Sequence, residues 1–282
     1  MAGLFFGVAA FVFGTVIGSF LNVCIYRLPR GESLVYPPSH CPLCYRPIRM
    51  EDNIPVLSWF LLAGRCRDCA GRISVIYPVV EFLTGALFFT YYWQLVGFYQ
   101  QPTPGQVGFY AIHMAFVSAL LAAAVIDFKH LIIPDEISVP GIVLGLAASF
   151  VFPQMHAGTL VWGHPHVSSL AESAIGALAG AAVVYAIGAA GKVAMRREAM
   201  GFGDVKLMAM IGAFLGWEMT IFVLFMSAVI ALAYGLVQMA FTGSNKIPYG
   251  PFLSIAAALG LLFRPAIDTF IAEVIKSYTL LL

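Results

Sequence analysis

Ala124-Val125-Ile126-Asp127-Phe128-Lys129-His130-Leu131-Ile132-Ile133-Pro134-Asp135 closes one apolar run and opens the next. The run that ends at Asp127 begins near residue 108, and Pro134-Asp135 leads into another that lasts to about residue 152. The same alternation of long apolar runs and short polar breaks continues along most of the chain. A span needs roughly 20 apolar residues to cross about 30 Å of hydrocarbon. Of the 282 residues, 61% are hydrophobic and 10% charged, against about 45–50% apolar and about 25% charged in soluble domains. Mean hydropathy is +0.89. Spans are predicted near 3–25, 75–97, 108–126, 137–152, 169–191, 205–217, 219–241 and 251–272. The sixth is short and abuts the seventh at Trp217-Glu218.

The net charge of +1 gives no whole-protein field, so nucleic-acid binding has no compositional support. Charge matters here by position. The first run is preceded by no Lys or Arg and followed by no small-residue cleavage site, and it leads straight into Arg27 and Arg30, so it reads as an uncleaved first span. Segment 26–74 holds seven arginines, and later breaks on the same side hold Lys129, then Lys192, Arg196, Arg197 and Lys206, then Lys246. The alternate breaks, 98–107, 153–168 and Trp217-Glu218, hold no Lys or Arg. Positive residues accumulate on the cytoplasmic side. Segment 26–74 is therefore expected inside and both termini outside, with Arg264 and Lys276 the exceptions.

Four of the five cysteines form two Cys-x-x-Cys pairs, Cys41/Cys44 and Cys66/Cys69, with 21 residues between them. This spacing is that of a four-thiolate zinc site, whose closed tetrahedral shell is structural rather than catalytic. A polar segment of this size buries too little to hold itself together and needs such a staple. Cys24 reads as a small apolar residue at the end of a helix. The expected fold is an all-α polytopic membrane protein of about eight transmembrane helices with a small cytoplasmic zinc-binding loop domain. Its parts are a first transmembrane helix over 1–25, the four-cysteine domain over 26–74, and a larger transmembrane domain over 75–282.

Carboxylates in or against lipid are costly and become functional candidates. Glu81, Asp127, Asp135, Asp204 and Glu218 lie in or beside the predicted spans. The charge pattern puts Asp127 and Asp204 on one side at similar depth. Two carboxylates sharing a low-dielectric site cannot both ionise, so one can deprotonate water while the other protonates a scissile carbonyl. Gly201 and Gly203 clear side chains from just before Asp204, where an extended peptide can lie close. Asp204 also suits a helix N-cap, and Asp127 a helix-end partner of Lys129 or Lys206. Asp135 reads as the cap of the fourth span and as the rival for a place in the pair. Lys129 and Lys206 stand beside the aspartates as supporting residues, or as inside-facing anchors.

Several short motifs recur in a fixed order: Gly18-Ser19-Phe20-Leu21-Asn22-Val23, the four cysteines with Asn53-Ile54-Pro55 and Ser58-Trp59 between them, Tyr77-Pro78 before Glu81, Asp127 with Pro134-Asp135, Gly201-x-Gly203-Asp204-x-Lys206, and Ile247-Pro248-Tyr249-Gly250-Pro251-Phe252. In these the chain resembles the type IV prepilin peptidases. The resemblance implies an aspartyl endopeptidase of the bacterial inner membrane that removes the basic leader of prepilins and pseudopilins after a glycine, on the cytoplasmic face. It also implies N-methylation of the new N-terminus with S-adenosylmethionine. Asp127 and Asp204 then match the family's catalytic aspartates, and Gly64 and Glu81 are nominated for the methyl-transfer site. Glu81 is equally well read as the partner of Arg72 or another loop arginine. The competing expectation is a transporter or zinc-sensing membrane protein that uses Glu81, Asp127 and Asp204 as an ion relay.

Overall fold

The computed structural model describes residues 2–97, 101–156, 163–195, 200–242 and 247–279. Arg196, Arg197 and Lys246 of the charge pattern, and parts of the 98–107 and 153–168 breaks, lie outside them. Among the described residues the chain is helical and forms no strand. It divides into two compact units, Met1–His130 and Leu131–Leu282.

The first unit holds α1 (Ala2–Arg27), the short α2 (Leu57–Leu61), α3 (Ile76–Val96) and α4 (Pro104–His130). α1 and α3 meet through residues without side chains. A Cβ on Gly18 would lie 2.6 Å from the Glu81 Cα, and one on Gly14 would lie 2.8 Å from the Gly85 Cα. In lipid there is no hydrophobic drive between helices, so close backbone approach through small residues is what makes packing favourable. The opposite face of α1 presents Phe5, Val12, Phe13 and Phe20 outward, each at least half exposed. That much apolar surface is a hazard in water and the normal condition in a bilayer.

The second unit holds α5 (Asp135–Val151), α6 (Pro165–Met195), α7 (Phe202–Thr242), α8 (Gly250–Leu262) and α9 (Arg264–Thr279). α6 lies against α7 along a glycine seam, with Gly176 facing Gly212 so closely that a Cβ on Gly212 would stand 2.1 Å from the Gly176 carbonyl oxygen. Ser173 Oγ donates to the Ala213 carbonyl across the same seam at 2.6 Å. Gly212→Ala is therefore expected to force the helices apart and cost about 1–3 kcal/mol, read as a lower midpoint in thermal unfolding of the detergent-solubilised protein.

Eight spans are more than the structure supports. Among the described residues five helices, α1, α3, α4, α6 and α7, are long and apolar enough to cross a membrane, or six if the bent pair α8 and α9 counts as one. The sixth and seventh expected spans are one 41-residue stretch broken at Gly216, whose φ of 81° and ψ of 173° are not helical. Glycine is required there because of the positive φ, and because a Cβ would sit 2.9 Å from His156 Nδ1. The fourth expected span, α5, has 17 residues, roughly 26 Å at 1.5 Å per residue and short of the hydrocarbon thickness. The eighth is α8, 13 residues long, which turns by 81° at Phe263 into α9.

Candidate metal centre and candidate active-site residues

Segment 26–74 folds around two matching turns. Cys41 N–H donates to the Arg46 carbonyl and Tyr45 N–H to the Cys41 carbonyl, and Cys66 and Ala70 make the equivalent bonds to Gly71 and Cys66. Tyr45 and Ala70, each directly after the second cysteine of its pair, take left-handed φ of 58° and 54°. Isolated bridges His40–Pro47 and Arg65–Arg72 close the two loops. All four sulfurs lie within 4.8 Å of one another, with Cys41 Sγ 3.9 Å from Cys69 Sγ. Tetrahedral zinc with Zn–S of about 2.3 Å sets neighbouring sulfurs about 3.8 Å apart, whereas a disulfide brings them to about 2.05 Å. The cluster fits a divalent ion. Burial works against the Cys41 thiolate, but N–H groups of Cys44 and Leu43 and the thiols of Cys66 and Cys44 outweigh it and bring Cys41 down to about 7. For Cys69 the Gly71 N–H favours the thiolate, yet burial and the three neighbouring thiols push it up to about 11. Two ion pairs brace it: Arg67 grips Asp52 with Nε and Nη2 at 2.5–3.1 Å, and Arg46 reaches Asp68 at 3.1 Å.

Above the ends of α1 and α3 the same segment roofs a cavity of about 440 Å³, whose walls include Ser19, Asn22, Trp59, Tyr77, Glu81 and Lys129. Sites for small organic ligands span about 300–1,000 Å³. Glu81 is 8% exposed. Its partners are neutral: Val56 N–H donates to Oε2 at 2.6 Å, Asn22 Nδ2 approaches Oε1 at 3.5 Å, and the Ser19 hydroxyl also reaches the carboxylate. The expected pairing with Arg72 is not what holds it. Val56 takes a φ of 64°, costly for a β-branched residue, and this turn aims its N–H at the acid. Gly64 is not among the lining residues. It takes a φ of 66°, and a Cβ there would lie 2.9 Å from the Trp59 ring, so it packs behind a residue that does line the cavity. Trp59 is fixed in turn by Nε1 donating to the Ile73 carbonyl at 3.1 Å. Sequence reasoning passed over Asn22 as a site residue. A buried amide within an apolar span was the available signal.

Asp127 stands on the last turn of α4 and is 6% exposed, and Asp204 on the first turn of α7 is 9% exposed. Asp204 is the third residue of its helix rather than the cap. Its Oδ2 accepts the Gly201 N–H at 3.2 Å, the side-chain half of a capping box, while its own N–H donates to the Gly201 carbonyl at 3.1 Å. Gly203 lies flush against Ile133, 3.0 Å from where its Cβ would be to the Ile133 Cβ. Lys206 binds both oxygens of Asp135, at 2.6 and 2.7 Å. The cap expected of Asp135 is not formed: it is the first helical residue of α5, with Pro134 at the cap position. Tyr249, in the loop before α8, hydrogen-bonds Ser227 at 2.8 Å, and burial, with Asp204 nearby, pushes its phenol up.

Residues 12–95 match the profile of the bacterial peptidase A24 N-terminal domain, and residues 114–236 that of the type IV leader peptidase family. The prepilin leader peptidase/N-methyltransferase of Aeromonas salmonicida (strain A449) is 33% identical over 289 residues, covering 91% of this chain and 90% of that protein. The type 4 prepilin-like proteins leader peptide-processing enzyme of Escherichia coli O78:H11 is 36% identical over 269 residues, 88% of this chain and 90% of that protein. The prepilin leader peptidase/N-methyltransferase of Myxococcus xanthus (strain DK1622) is 36% identical over 241 residues, 86% of this chain and 65% of that protein. No solved structure matches the chain.

Proposed function

The chain belongs to the type IV leader peptidase family, and from that membership we propose that it removes the leader peptide of type IV prepilins and pseudopilins and then N-methylates the new N-terminus. The observation that carries the reading is a pair of buried carboxylates, Asp127 and Asp204, both inside the stretch that matches the family profile. Cleavage rests on these two. In a site shared with substrate, the ionised member takes a proton from water and the protonated member gives one to the leaving amine. The missing side chain at Gly201 leaves room for the extended peptide beside Asp204. The prepilin's own apolar helix stays in lipid while its basic leader remains in the cytoplasm, the side to which the positive-inside pattern assigns segment 26–74 and both acids.

Methyl transfer belongs to the cavity beneath the four-cysteine segment, with S-adenosylmethionine as the donor of an activated methyl group. Trp59 and Tyr77 offer aromatic faces to a cationic sulfonium. Glu81 offers it a negative charge, with Asn22 and Val56 N–H fixing the direction of that carboxylate. Zinc in the four thiolates holds the cavity roof and takes no part in either reaction. An ion relay has less in its favour, since the relatives carry peptidase and methyltransferase names and a closed thiolate shell leaves no exchangeable position.

The test is incubation of the purified protein with a prepilin peptide and labelled S-adenosylmethionine. Mass spectrometry should show loss of the leader, followed by the gain of one methyl group on the new N-terminus. An intact peptide would overturn the reading. Glu81→Gln, which keeps the side-chain size and an acceptor for the Val56 N–H, should raise the KM for S-adenosylmethionine about tenfold, about 1.4 kcal/mol. Leader cleavage should be unchanged in the same preparation.

A further inference from the structure

The geometry points to the Asp135–Lys206 ion pair as a positioning device that holds the turn bearing Asp204 in register for peptide cleavage. The inference rests on Asp204 acting as a cleaving carboxylate, as proposed above. Asp135 opens α5, and Lys206 lies two residues beyond Asp204 on α7, so the pair ties together the first turns of two helices 71 residues apart in sequence. The start of α7 also meets the segment just before α5, where Gly203 lies against Ile133. The Lys206 ammonium also lies over the Phe202 ring, 5.0 Å from its centroid. Asp204 stands between these contacts, with one oxygen fixed by the Gly201 N–H. Turning the start of α7 about its axis, the motion that would swing Asp204 away from a substrate, must break the ion pair or drive Gly203 into Ile133.

The same contacts decide what Asp135 does. Both of its oxygens take the Lys206 ammonium, so neither is left turned toward Asp204. Its side chain is 61% exposed, unlike those of the buried Asp127 and Asp204. An ion pair this exposed adds little to stability. Its effect falls on orientation, and a misplacement of about 1 Å can cost on the order of 10²-fold in rate.

The experiment measures prepilin-peptide cleavage by the full-length protein in detergent for Asp135→Asn, Lys206→Met, Lys206→Arg and the exchanged pair Asp135→Lys with Lys206→Asp, alongside Asp204→Asn. Methyl transfer to a pre-cleaved peptide and the unfolding midpoint report whether each variant is folded. Expected for Asp135→Asn and Lys206→Met is a fall in kcat of about 10- to 100-fold with KM within about twofold and little change in midpoint. Lys206→Arg should keep most of the turnover, and the exchanged pair should recover about tenfold over the weaker single variant. Turnover like the parent in all variants overturns the inference, as does a rise in KM alone, which would make the pair a substrate contact. Asp135→Asn as inactive as Asp204→Asn, without recovery on exchange, also overturns it and makes Asp135 a reacting acid. Continued cleavage by Asp204→Asn would instead remove the proposed aspartyl site itself, a distinguishable failure.

Discussion

Asp204→Asn and Asp127→Asn each reduce leader cleavage by about 10³-fold or more, with KM for the prepilin peptide little changed, in a steady-state assay on the purified protein. The size follows from the role: each acid is proposed to move a proton at the reacting centre, a contribution of about 10²–10⁴-fold, and the two act as a unit whose losses do not add. Asparagine is the informative replacement. At Asp204 its carbonyl oxygen can still accept the Gly201 N–H that the carboxylate accepts at 3.2 Å, so the first turn of α7 keeps its cap and only the ionisable group is lost. At Asp127, 6% exposed, the amide preserves volume and packing on the last turn of α4. Methyl transfer to a pre-cleaved peptide continues in both variants if the two chemistries use separate residues. Full cleavage in both variants would mean that neither aspartate is the catalyst.

Removing the metal from the four-cysteine cluster produces the second large effect. Cys44→Ser, or dialysis against a strong chelator, should take bound zinc from one ion per chain to none by elemental analysis. Methyl transfer should be lost with it. Structural zinc contributes about 10–16 kcal/mol to folding in small zinc-bound peptides, and segment 26–74 has little else: Met50, Leu57, Phe60 and Leu61 are all more than half exposed. Without the ion, the roof of the cavity, Trp59 included, loses its anchor. Limited proteolysis should then cut between 26 and 74 while the apolar helices stay intact. A metal-free variant that methylates at the parental rate would show that the cluster does not support the cavity.

These two effects differ in how early they could be foreseen. The Cys-x-x-Cys pairs announce a four-thiolate site because each places two ligands on one turn, a local property of a few residues, and the sulfurs do converge to within 4.8 Å. The Gly201-x-Gly203-Asp204 motif similarly declares an acid at a bare turn. Glu81 could be marked as costly, but not what it binds: Asn22 and Val56 are 59 and 25 residues away, Asn22 meeting it because Gly14 and Gly18 let α1 approach α3 and Val56 through its left-handed turn before α2. Asp135 looked like a cap and a rival acid, since its sequence neighbourhood suits both. That Lys206 occupies it depends on α5 and α7 starting side by side.

Sequence by itself determined that this chain is helical and belongs in lipid, where its polar exceptions lie, and which cysteines and carboxylates are candidates for chemistry. Those are properties of composition and short-range spacing, since burial in hydrocarbon forces the backbone to satisfy itself within each helix whatever the neighbours are. Tertiary structure alone decided how many of the described helices are long and apolar enough to span, five or six. Hydropathy is blind to direction, and the break at Gly216 and the 81° turn at Phe263 change the path of the chain without changing its apolar character. It alone decided the partners of Glu81 and Lys206 as well, because hydrogen bonds and ion pairs act over about 3 Å, and only packing brings residues so distant in sequence within that reach.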